Sequence, residues 1–165
     1  MSLTVHDSTE IAVALEQSVS GVLETMFFTG IFGPADPEAA WPEGSVHVRI
    51  TFSGDCNGEF SLRLSEEAIR ELAAAFLGVD LTEATPEGLA EVSAELANMI
   101  CGSTLSGLPG IDNLKLSSPY ACLGDEARPA SDPAQPHFGR CIEQRFELPG
   151  GLLAVSFRFH KDPAV

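Results

Sequence analysis

Glu91, Glu95, Asn98 and Gly102 follow one another at spacings of four, three and four. At about 100° per residue these positions stack along one side of a helix. Carboxylates there can bind a cation, and an amide can donate and accept hydrogen bonds at once. Leu89, Val92, Leu96, Met99, Ile100 and Ser103 gather in a neighbouring sector that is expected to face a core. A solvated helix face commonly pairs its acids with Lys or Arg four residues away, and this one does not. A mid-helix glycine also costs about 0.5–1 kcal/mol relative to alanine. Something is therefore expected to come close to this face. The plain alternative is an ordinary polar helix surface.

Other chemistry is thin. Cys56, Cys101, Cys122 and Cys141 are scattered and form no CxxC, and no Cys/His spacing matches a zinc site. They are expected to be reduced thiols, buried as small apolar residues. His6, His47, His137 and His160 are equally dispersed. No Walker loop, GxGxxG or nucleophile elbow is present. No metal site is expected on the chain.

Composition sets outer bounds. The 165 residues fit one domain over 1–165, and 44% apolar content with ten Phe indicates an ordered globular protein. Nine basic residues stand against 24 acidic ones, a formal charge of −15. That balance excludes binding to a phosphate backbone, which needs clustered Lys and Arg. It favours partners that present a cation. No apolar run is long enough to span a membrane. A cytoplasmic protein with neither membrane insertion nor nucleic-acid binding is the expectation.

The chain must also place the acidic helix. Asp7 caps a first helix whose apolar periodicity runs through Ile11, Leu15, Val19, Val22, Met26 and Phe27 to Gly30. Met26, Phe27 and Phe28 are expected in the core. Residues 34–44, with three prolines and the only Trp, read as a loop. Val46, Val48, Ile50 and Phe52 alternate with polar residues, as do Phe60, Leu62 and Leu64 beyond a Ser-Gly-Asp-Cys-Asn-Gly turn: a β-hairpin. Ser65 caps a second helix that ends at Gly78. Thr85-Pro86 opens the acidic helix, which fades near Ser106-Gly107. A strand interrupted by Pro119 is expected over 114–123, then a proline-bearing loop over 124–137. Strands over 138–148 and 152–160 flank Pro149-Gly150-Gly151. The order α-β-β-α-α-β-β-β with tight turns implies an α+β fold, an antiparallel sheet with packed helices.

So organised, the chain resembles the CheX branch of the CheC/CheX/FliY chemotaxis phosphatases. Glu95-x-x-Asn98 followed by Met99-Ile100 and Gly102-Ser103 carries the likeness. So do the run 108–123 containing Pro119, the helix ending Leu23-Glu24-Thr25-Met26-Phe27-Phe28, and the element order. Two positions depart from the pattern: Glu91 stands where the longer family motif has Asp or Ser, and Pro119 falls slightly early. In the first helix, Glu16-x-x-Val19 occupies roughly the place of a duplicate motif, but valine has no amide.

The resemblance implies a phosphatase that removes the phosphoryl group from the phosphoaspartate of a CheY-type response regulator. It implies that Asn98 orients the attacking water and that Glu95 binds the regulator's lysine. Glu91, Gly102 and Pro119 would be partner-binding positions around them. The chain itself would carry no cofactor, with Mg²⁺ expected on the phosphorylated receiver domain, and a homodimer with one site per subunit is expected. The alternative is a CheX-like module that binds a receiver domain or self-associates without catalysis. A third class, a small-ligand or redox module built on the cysteines, would require reactive thiols.

Overall fold

The structure is a computed structural model that describes residues 7–38, 40–42, 44–124 and 138–160. The first helix, α1 (Ser8–Met26), begins where the Asp7 carboxylate accepts the Glu10 N–H at 2.9 Å. Ile11, Leu15, Val19 and Leu23 are all fully buried on one stripe. The helix stops four residues before Gly30. Phe28 takes a left-handed backbone at φ 54°, and the N–H groups of Phe27 and Thr29 both donate to the Leu23 carbonyl. This reversal corrects the sequence expectation for the helix end. Phe27 turns inward and stacks on Phe76 at 5.1 Å, whereas Met26 is exposed and Phe28 is 82% exposed.

Among the described residues seven strands form one sheet: β1 (Gly33–Pro34), β2 (Ser45–Gly54), β3 (Gly58–Ser65), β4 (Leu114–Leu116), β5 (Tyr120–Leu123), β6 (Phe138–Leu148) and β7 (Gly151–His160). The order is β1-β6-β7-β3-β2-β4, with β5 also paired to β2, and every pairing is antiparallel. The α+β class stands as expected, with two refinements of the order. Gly33 and Pro34, at the start of the expected loop, pair with Glu147 and Phe146 as a short edge strand. The strand expected over 114–123 is interrupted at Pro119 as the sequence indicates, leaving two pieces, β4 and β5, end to end along β2. Proline cannot donate to a ladder, and Pro119 falls in the gap. The proline-bearing loop lies, beyond Gly124, outside the described residues.

Period-2 alternation sends Val46, Val48, Ile50, Phe52, Phe60, Leu62, Leu64, Leu153, Val155, Phe157 and Phe159 to one side of the sheet, where all are buried. Helices α1, α2 (Glu66–Leu77) and α3 (Pro86–Ser106) cover that side. Helix α1 packs against β6, α2 against β3 and β7, and α3 against β2, β3 and β5. Ser65 stands at the N-terminal boundary of α2, but its hydroxyl accepts the Leu152 N–H at 3.0 Å instead of capping the helix. A Cβ on Gly151 would run into that hydroxyl, so glycine is required for β7 to approach α2. No helix among the described residues is long and apolar enough to cross a membrane.

Candidate functional site

Helix α3 starts as the sequence indicates. The Thr85 hydroxyl accepts the Gly88 N–H at 3.1 Å, and Pro86 occupies the first turn, where no N–H is needed. The helix packs against both α1 and α2 as well as the sheet. Its buried side is accordingly wide: Leu89, Val92, Ser93, Leu96, Ala97, Ile100, Cys101, Thr104 and Leu105. The two buried hydroxyls are satisfied within the helix, Ser93 on the Leu89 carbonyl and Thr104 on the Ile100 carbonyl, each at 2.7 Å. Of the sector expected to face the core, Ser103 is exposed and Met99 half-buried.

One side of α3 remains open. Glu91, Glu95 and Asn98 are exposed there, with half-buried Gly102 one turn further. The side chains of Glu95 and Asn98 make no hydrogen bond or ion pair among the described residues. Both polar groups therefore remain available to another molecule, held on a helix whose other faces are locked by packing. Glycine at 102 is not demanded by the chain's own packing. A Cβ there would meet only the Leu116 Cδ1 at 3.8 Å, an ordinary contact. Pro119 sits half-buried in the gap between β4 and β5, on the sheet edge and not on the helix.

A carboxylate that sequence reasoning left inside a turn helps fix this edge. Asp55, in the β2–β3 turn, accepts the N–H groups of Asp112 and Asn113, both at 2.8 Å, and its own N–H donates to the Asn113 carbonyl at 2.9 Å. The two donors hold the Asp55 carboxyl below its ordinary pKa. This clasp ties the exit from α3 to the hairpin and delivers β4, and with it Leu116, beside Gly102.

The cysteines divide. Cys56 and Cys101 are buried, and desolvation pushes their thiols up to about 11 and about 12, which disfavours the reactive thiolate. Cys122 is half-buried and Cys141 exposed, so burial describes only two of the four. In α1, Glu16 is exposed but Val19 is fully buried. Among the described residues no group of three or more His, Cys, Asp or Glu side chains is arranged to hold a metal ion.

A family profile described as chemotaxis phosphatase CheX matches residues 46–138, which contain the hairpin and all of α3. No curated protein matches. Among solved structures, the chemotaxis protein CheX from Vibrio vulnificus superposes with a TM-score of 0.73 at 21% identity, covering 94% of this chain and 99% of that one. CheX in the CheX–CheY–BeF3–Mg²⁺ complex from Borrelia burgdorferi gives 0.70 at 18% identity, over 92% and 98%. FliY from Thermotoga maritima gives 0.60 at 17%, over 95% and 92%. The three-helix layer, the broken sheet edge and the profile match across more than half the chain lead to one assignment: the chain belongs to the CheX family of chemotaxis phosphatases.

Proposed function

We propose that this chain hydrolyses the phosphoaspartate of a CheY-type receiver domain docked on the open side of α3. Asn98 orients a water in line with the phosphorus, using its amide both to donate and to accept. Water adds to phosphorus, the bond to the aspartyl oxygen breaks, and the partner's carboxylate and inorganic phosphate leave. An acyl phosphate is already reactive, so positioning supplies most of what is needed and no nucleophile on this chain is required. Glu95 forms a charge-assisted bond to the receiver's lysine. The phosphorylated side chain and Mg²⁺ both belong to the partner. Glu91, Gly102 and Pro119 line the contact, with Gly102 leaving room for the partner's backbone.

The observation that carries this reading is the pair Glu95 and Asn98, one turn apart, exposed, and unengaged by the rest of the fold. Family membership and the receiver-bound Borrelia burgdorferi relative support it. The test follows loss of phosphate from a phosphorylated receiver. Asn98→Ala should slow the catalysed rate about 10²-fold. Glu95→Gln should raise the half-saturating receiver concentration about tenfold. A wild type no faster than spontaneous decay, or an Asn98→Ala variant as fast as wild type, overturns the enzyme and leaves a binding module.

The chain is also proposed to work as a homodimer. The carbonyls of Arg145 and Glu147 face outward from β6 and accept the N–H groups of Ala35 and Phe32. By alternation Glu143 and Cys141 present theirs to the same edge. Among the described residues no hydrogen bond covers those backbone groups, a template for a second strand.

A further inference from the structure

The other side of the sheet, away from the helices, carries a feature that the phosphatase reading does not use. We infer that it holds a binding site for a compact oxyanion of the inorganic phosphate class. Pairing register builds the site. Ala154 lies between Arg63 on one neighbouring strand and Arg145 on the other. One pair along, Ser61 faces Ser156, and one further, Glu59 faces Arg158. These small side chains floor a cavity of about 120 Å³ walled by the three arginines. That volume accommodates a compact anion.

The guanidiniums are held in place. Arg63 lies 4.1 Å and Arg145 5.7 Å from the Trp41 ring centroid, both within cation–π range. Arg145 Nε, on the cavity wall, is buried without a hydrogen-bond acceptor, as is Trp41 Nε1 on the ring beside it. The Glu143 carboxylate stands 3.6 Å from Arg145 Nε, too far for a hydrogen bond. Glu59 and Glu143 also line the cavity, so two carboxylates partly offset three guanidiniums. The next pair adds Arg49, opposite Ser61.

The molecule's charge is segregated in the same sense. The three helices carry nine glutamates and a single basic residue, Arg70, which is paired with Glu66 at 2.9 Å. Five of the seven described Lys and Arg, Arg49, Arg63, Lys115, Arg145 and Arg158, stand on the open sheet face. Among the described residues, an anion repelled by the helical side meets the greatest gathering of basic side chains on this face.

Trp41 is the only tryptophan, so its fluorescence reads the site. Titration with inorganic phosphate should give a saturable change that chloride at matched ionic strength does not. Phosphate should also raise the melting temperature. Arg158→Gln, checked for folding by circular dichroism, should weaken both responses about tenfold. Asn98→Ala on α3 should leave both intact. No saturable response, an equal response to chloride, or wild-type binding by Arg158→Gln overturns the inference. Loss of the response in Asn98→Ala does so too, since it would put the ion on α3.

Discussion

Gly102 separates two demands that usually act together on a helix residue. Its missing side chain costs α3 intrinsic stability, yet a methyl group at that position would meet only the Leu116 Cδ1 at van der Waals distance. Gly102→Ala is therefore expected to raise the unfolding free energy by about 0.5–1 kcal/mol. If the proposed docking is right, the same methyl group intrudes on the receiver backbone and lowers dephosphorylation about tenfold or more. Urea unfolding and phosphate-release rates on one preparation settle both points. A variant that is more stable and fully active would remove Gly102 from the contact. That Glu95 and Asn98 share one open side of α3 was legible because helical spacing is a property of sequence alone. Asp55 was not, because its partners Asp112 and Asn113 lie more than fifty residues away, and the turn residues around it describe only local backbone.

Among the elements, α1 shows how a periodicity can be sound and its end still wrong. Apolar residues continue through Phe28, so pattern alone extends the helix and buries the aromatics. What stops it is the left-handed turn at Phe28, a conformation that costs an L-residue about 1–2 kcal/mol. The ring recovers little of that, being 82% exposed. Phe28→Asn, which tolerates this backbone better, is predicted to stabilise the protein by about 1 kcal/mol in urea denaturation. A loss of stability instead would mean that the exposed ring contributes contacts outweighing its strain. The strands tell a similar story. Strong alternation located β2, β3, β6 and β7. The short pieces β4 and β5 were legible as one strand broken at Pro119, whereas β1, with two residues, is too short for a period to register and is defined by the neighbour it pairs with.

At the scale of the whole molecule, the α+β class followed from turn chemistry and element order, whereas the contrast between its two faces required the fold. Helices bearing nine glutamates cover one side of a sheet whose other side gathers arginines. Net charge of −15 conceals that opposition. The proposed homodimer belongs to this scale as well. Sedimentation at micromolar concentration should find two copies, and Glu143→Pro, which removes an edge-facing N–H from β6, should shift the population to monomer. Persistence of the dimer in that variant would move the contact away from β6.

The interruption at Pro119 has a bearing on how far such association can go. Along β2 the outermost backbone is split into β4 and β5, so among the described residues another chain finds there no run longer than four residues to pair with. A sheet with two open edges could add copies without limit, as fibres do. Here one edge is broken by a proline and the other would be consumed by its symmetry mate. In the proposed homodimer, strand pairing would terminate at two, with the break at Pro119 capping the assembly.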